Sequence, residues 1–268
     1  MGISWTATNS YPVGIDQHSC VAYNGYVYCF GGDAASIGIT GLVYYAPLLT
    51  PGIGTWQSSS NSLPVVTNQA SCAISNGYVY CVGFDAPPYN GAYYAPLLNP
   101  GVGAWDATNS LPTPNAGGNN ACTIYNGYIY CFASQFSFYY APILNPGIGS
   151  WTSSNMFGGA YGWESGSGGA IFADNNIMYM ENTGYGEAYY APIINPGVST
   201  WQSQGQIQGI GCSTTILGCA PGSGYVYCTG GCTWAGQFVS NGIMNVKGGP
   251  NWPGGQSYAG TEPSCITN

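Results

Sequence analysis

A chain of 268 residues is long enough to bury a sizeable core, as one large all-β domain or as two ordinary ones. Only 4% of its residues are charged; one lysine (Lys247), no arginine and nine carboxylates leave a formal charge of −8. Such a chain lacks the cations that neutralise nucleic-acid phosphates or grip an anionic lipid surface, and it lacks the Glu, Lys and Arg that build helix surfaces.

No apolar run approaches the length that spans a bilayer, so no membrane insertion is expected. Residues 1 to 30 carry no charged-then-apolar export signal, which leads us to expect a mature chain or a piece of a longer one.

In chain order, the first strand-like segment is ISWTATNS (3–10). CVAYNGYVYC (20–29) follows, two short β-prone runs around Asn24-Gly25, a pair suited to a two-residue hairpin turn. YYAPLLTPGIGTW (44–56) then supplies a third strand, a Pro-Gly turn expected to be of type II, and a fourth strand opening at Trp56.

The same grammar returns as YYAPLLNPGVGAW (93–105), YYAPILNPGIGSW (139–151) and YYAPIINPGVSTW (189–201). Hairpin turns recur at Asn76-Gly77, Asn126-Gly127, Asn175-Asn176 and Ser223-Gly224. Trp5, Trp56, Trp105, Trp151, Trp201 and Trp252 are spaced by 51, 49, 46, 50 and 51 residues. A period near 50 residues with four short strands per unit predicts an all-β propeller of four-stranded antiparallel blades, in which the repeated Trp and Tyr pack between blades. The expected blades are 11–62, 63–111, 112–157, 158–207 and 208–252, with a tail at 253–268.

The Tyr-rich second strand running into Gly31-Gly32 or Gly230-Gly231, the Tyr45-x-Pro47 third strand and the Trp that opens strand four resemble the kelch repeat. The resemblance covers nearly the whole chain. The glycine pair is lost at Ala133-Ser134 and Glu181-Asn182, and the Arg and His common in the first kelch strand are missing. The pattern is more similar to the Tyr-, Asn- and Cys-rich kelch-like repeats of microbial, including archaeal, surface proteins. The resemblance implies a fold and a docking face, with no particular reaction.

VKGGPNWPGG (246–255) puts Pro and Gly directly after Trp252, where a strand is weakened, while ISWTATNS has no blade of its own. We therefore expect five blades, with residues 3–10 serving as the outer strand of the fifth. Two other closures stand beside this one. In the first, EPSCITN (262–268) opens a sixth hairpin, because Ser-Cys also begins those at Ser19-Cys20 and Ser71-Cys72. In the second, the N-terminal strand completes a neighbouring molecule.

Cys20 and Cys29, Cys72 and Cys81, Cys122 and Cys131, and Cys219 and Cys228 are each nine residues apart and symmetric about their turn, on a non-hydrogen-bonded pair whose Cα separation suits a disulfide. In the fourth unit both positions change together, to Ile171 and Met180. Zinc is the competing reading, but it wants four converging ligands, and these pairs belong to different blades. No metal and no cofactor are expected. Disulfides imply an oxidising compartment, hence an extracellular or cell-surface location. Cys212 and Cys232 fall in loops at one end of blade five and are paired provisionally, leaving Cys265 over.

Tight turns occupy one end of such a propeller, so variation concentrates at the other, in the loops joining strand two to three and strand four to the next strand one. That end collects Asp16, Gln17, His18, Asp33, Asn68, Gln69, Asp85, Tyr89, Asn119, Asn120, Gln135, Tyr161, Trp163, Glu164, Glu181, Glu187 and Trp234. Of these, Asp16, His18, Asp33, Asp85, Tyr161, Trp163, Glu164, Glu181 and Trp234 are the expected ligand-binding set. Aromatic planes beside amides and carboxylates suit a sugar's C–H face and hydroxyls.

Catalysis is not expected. His18 is the single histidine and has no nucleophile motif beside it. A carboxylate pair for glycoside hydrolysis lacks supporting partners, and no Asp-rich loop signals Ca²⁺. The expectation is an extracellular binding or adhesion module for a glycan or a surface protein. The alternative is a subunit that assembles with copies of itself into a filament, sheath or surface layer.

Overall fold

The computed structural model describes residues 8–84, 89–113, 120–133, 137–154, 169–182 and 187–206, followed by the strands within 218–222, 225–229, 234–238, 244–247 and 266–267. The described residues form an all-β structure with no helix long and apolar enough to cross a membrane.

Four antiparallel strands build each successive unit. Blade one is Ser19–Tyr23, Tyr26–Phe30, Val43–Leu49 and Gln57–Ser58, and blade two is Ser71–Ser75, Tyr78–Val82, Ala92–Pro96 and Asp106–Ala107. Blade three is Ala121–Tyr125, Tyr128–Ala133, Ser137–Pro142 and Thr152–Ser153, and blade four is Gly169–Asp174, Ile177–Asn182, Glu187–Pro192 and Gln202–Gln206. Blade five is Gly218–Gly222, Tyr225–Thr229, Trp234–Phe238 and Met244–Lys247. First strands of consecutive blades are neighbours, as a propeller-like arrangement requires.

The hairpin turns form as the Asn-Gly pairs predict, with positive φ at Asn24 (45°) and Gly25 (77°), and at Asn175 (48°) and Asn176 (62°) in blade four. The Pro-Gly turns differ from the expected type II. The bonds Thr50-Pro51, Asn99-Pro100, Asn145-Pro146 and Asn195-Pro196 are cis, and each hairpin is pinned instead by short backbone bonds such as Leu98 N–H to the Gly101 carbonyl at 2.8 Å.

Cross-strand register places Cys20 opposite Cys29, Cys72 opposite Cys81 and Cys122 opposite Cys131, and all three pairs are disulfide-bonded at Cα separations of 4.1, 4.1 and 4.2 Å. Cys219 faces Cys228 in the same register, and Ile171 faces Met180. Cys212, Cys232 and Cys265 lie outside the described residues.

The core sits between blades. Val21, Tyr28, Phe30 and Val43 of blade one pack against Cys72, Val79, Cys81, Ala95 and Val102 of blade two, with Trp105 against them. Phe30 and Trp105 meet edge to face at 5.9 Å. Two tyrosines at the centre of strand two reach across their interfaces: Tyr28 donates to the Leu98 carbonyl (2.9 Å) and Tyr80 to the Leu144 carbonyl (3.4 Å), whereas the equivalent Tyr130 hydroxyl has no partner among the described residues. Burial raises the Tyr28 hydroxyl to about 12, so it remains a donor at any ordinary pH.

Blade five departs from expectation. Its fourth strand is Met244–Lys247, paired with Trp234–Phe238, so the place expected for residues 3–10 is taken by the blade's own chain. Residues 3–7 lie outside the described residues. Thr8 and Asn9 contact Ile53 and Trp56 of blade one, at the edge where the outer strand of a preceding blade lies at the other interfaces. Ile266–Thr267 pairs in parallel with Ser19–Tyr23 and also touches Gly218–Gly222. Among the described residues, Thr8 and Asn9 thus lie on blade one, and Ile266–Thr267 lies against the first strands of blades one and five.

Candidate binding site at the loop end

In blade one the expected face is a small structure of its own. The segment leading into the first strand and the loop after the second strand pair as Ile15–Asp16, Asp33–Ala34 and Gly38–Ile39. Register sets Asp16 directly opposite Asp33.

The glycine pair after strand two makes this possible. Gly32 donates its N–H to the Thr67 carbonyl at 2.7 Å and has φ +110°. A β-carbon there would stand 2.7 Å from the Asp16 carbonyl and from the Ile15 side chain. Gly31 is equally confined, with Thr67 O at 2.6 Å from a β-carbon. The Gly-Gly step thus lets the loops at 14–18 and 67–69 close on one strand end.

The segments leading into the first strands of blades one to three stand side by side at this end. Cys72 N–H donates to Ser19 Oγ (3.0 Å) and Cys122 N–H to Ser71 Oγ (2.8 Å), tying each strand to the one before. Asn120 rests on Gly83, donating Nδ2–H to its carbonyl at 3.0 Å.

Along these segments, Asp16 Oδ1, Gln17 Oε1, His18 Nδ1, Asn68 Oδ1, Gln69 Oε1 and Asn120 Oδ1 are each buried with no hydrogen-bond partner among the described residues. Buried polar atoms in a native fold are normally satisfied, so these six at one end mark a place where something else supplies the partners; Trp105 Nε1 and Tyr130 Oη, in the cores between blades, lack partners as well. Gln17 sits at φ +53°, in the left-handed region, which sets it apart from the neighbouring strand residues.

Burial, and then the facing Asp33, raise the Asp16 carboxyl above its ordinary range, while a bond to its own backbone opposes the shift. Burial holds His18 down at about 4, a neutral imidazole 5.2 Å from the Tyr11 ring. Tyr11 in turn packs edge to face on Tyr44 and Trp56, and burial raises its hydroxyl, with Tyr44 adding to the rise.

Of the expected set, the structure sets Asp16 opposite Asp33, while His18 lies against Tyr11 and the Cys20–Cys29 pair. Asp85, Tyr161, Trp163 and Glu164 lie outside the described residues. Glu181 faces Ala170 and Ala188 near the end of blade four's second strand. Trp234 is not a loop residue. It opens the third strand of blade five opposite Cys228, the position held by Tyr44, Tyr93, Tyr139 and Tyr189 in the other blades. The third strand of blade five was illegible because WAGQF keeps an aromatic at the first position but loses the Tyr-Ala-Pro that marks its sisters.

The other end carries a feature that sequence reading passed over. Leu49, Leu98, Leu144 and Ile194 are 55%, 48%, 49% and 62% exposed, one large aliphatic at each Pro-Gly turn of blades one to four. The signal was present in the second residue of each LL, LL, IL and II pair.

No protein-family model matches the chain, and no curated protein matches it. Many solved structures do resemble it. One, described as "Structure of YjhT", superposes with a TM-score of 0.67 at 14% identity, covering 91% of this chain and 87% of that one. This likeness concerns the fold.

Proposed function

We propose that the chain is a non-catalytic, extracellular or cell-surface kelch-like propeller that binds a hydroxyl-rich ligand, a glycan, through its loop end. One observation carries this reading: the row of buried, unpartnered acceptors at Asp16, Gln17, Asn68, Gln69 and Asn120, whose natural complement is a ligand presenting several O–H donors. The absence of arginine directs the choice toward neutral sugars over acidic ones, since carboxylates and sulfates are gripped by guanidinium forks. Three disulfides accord with an oxidising location. A glycan array probed with the full chain tests the proposal. Binding that is weakened in Gln17→Ala and Gln69→Ala supports it; an array that stays blank, or hits that both variants retain, would sink it.

A second reading has an observation of its own. An exposed aliphatic repeated once per blade at the turn end suits contact with another periodic surface, above all a second copy of the chain. Electron microscopy separates the two readings: isolated discs favour the binding module, and ordered fibres favour an assembly subunit.

A further inference from the structure

His18 lies against the first disulfide, and this contact has no counterpart elsewhere. A nitrogen of its ring and the sulfurs of Cys20 and Cys29 all fall within 4.8 Å of one another. The residue two before the first cysteine is Ala70 in blade two and Asn120 in blade three, so the fold does not need an imidazole there. His18 is the chain's single histidine, and its Nδ1 is buried with no hydrogen-bond partner among the described residues. Cys20 and Cys29 are themselves buried, in a cluster with Val27 and Ala46.

We propose that Cys20, Cys29 and His18 form a redox-gated metal site, closed while the disulfide is intact and open to a d¹⁰ thiophilic ion, Zn²⁺ or Cu⁺, once the disulfide is reduced. In the oxidised form each sulfur spends its bonding capacity on the other. A dithiol reductant supplies two electrons and two protons; the Cys20–Cys29 bond breaks to two thiols, and the reductant becomes its own disulfide. The ion then displaces both thiol protons, binds the two thiolates and takes the imidazole nitrogen as third ligand. Two sulfurs and one nitrogen suit Cu⁺ in trigonal geometry, or Zn²⁺ with water in the fourth place. The cross-strand register holds both sulfurs on one face of the hairpin, so a modest opening of their separation, without movement of the strands, gives the bite a metal needs.

The same hairpin in blades two and three offers two sulfurs but no histidine two residues before the first cysteine, and serves as an internal control. The test is titration of the phosphine-reduced full chain with Co²⁺, followed by Zn²⁺ displacement, reading thiolate-to-cobalt absorption and stoichiometry. One cobalt per chain should bind with a thiolate charge-transfer band, and His18→Ala and Cys20→Ser should each lose it. Cys72→Ser with Cys81→Ser should keep it. If reduction loosens the fold, Zn²⁺ should raise the melting midpoint of the reduced wild type and leave that of His18→Ala unchanged. A reduced chain that takes up no metal, or a His18→Ala variant that binds as the wild type does, overturns the proposal.

Discussion

Thr8 Oγ1 accepts the Ile53 N–H at 2.7 Å, and Thr108 Oγ1 accepts the Ile148 N–H at the same 2.7 Å. Both threonines also reach the carbonyl of the same partner, at 3.2 and 3.3 Å, and the indoles of Trp56 and Trp151 donate to Asn9 and Asn109. Thr8 and Asn9 thus occupy, on blade one, the place that Thr108 and Asn109 of blade two occupy on blade three. Loss of the hydroxyl in Thr8→Ala should lower stability by about 1 kcal/mol. Deletion of residues 1–10 should cost more, because the indole contact goes with it. Denaturant unfolding measures both, and a deletion that leaves the midpoint unchanged would show that the segment closes nothing.

The register that sets Cys20 against Cys29 also sets Ile171 against Met180. A double substitution, Ile171→Cys with Met180→Cys, should therefore oxidise spontaneously to a disulfide in blade four, visible as the loss of two hydrogens by mass spectrometry. Persistent free thiols in the folded variant would mean that blade four does not share the hairpin geometry.

Gly32 and Gly38 both have positive φ, but a β-carbon at Gly32 meets the Asp16 carbonyl at 2.7 Å, whereas at Gly38 nothing lies within 4 Å. Gly38→Ala should cost about 1 to 2 kcal/mol, the left-handed penalty alone. Gly32→Ala adds a clash and should cost clearly more than about 2 kcal/mol. Equal costs would mean that the close approach of the two loops is not what the Gly-Gly step provides.

His18 carries a pH signature. Its folded-state pKa is lowered to about 4 by burial, from an ordinary value of 6.5. Between those values the unfolded chain binds the extra proton, so stability falls as pH drops through the window, by an amount on the order of 1 to 3 kcal/mol. His18→Gln should flatten the stability profile from pH 6.5 to 4 relative to wild type, and parallel profiles would contradict the burial of the imidazole.

Repetition made the fold legible. One unit alone would have left the pairing within CVAYNGYVYC undetermined, but its sisters fixed the first two strands, their two-residue turns and three disulfides, because cross-strand register is determined by distance from a two-residue turn. Legibility failed where repetition failed. Trp234 was placed in a loop because blade five has lost Tyr-Ala-Pro, and the strand Met244–Lys247 went unread because it carries no tryptophan to announce a fourth strand. At the candidate site, residue type and loop position put Asp16, His18 and Asp33 at one end of the first blade, but the facing of the two aspartates depends on a short pairing that two residues cannot signal in sequence. The exposed aliphatics were overlooked for the opposite reason: an alternating strand ending in LL reads as core until the turn is seen to carry its last residue into solvent.

The most direct test of the account is hydrogen exchange of the full chain with and without a glycan identified on the array. Binding at the loop end predicts new protection in segments 14–18, 67–69 and 120–122, with Leu49, Leu98, Leu144 and Ile194 at the turn end unchanged. Protection confined to the turn end, with the loop end exchanging freely, would contradict it.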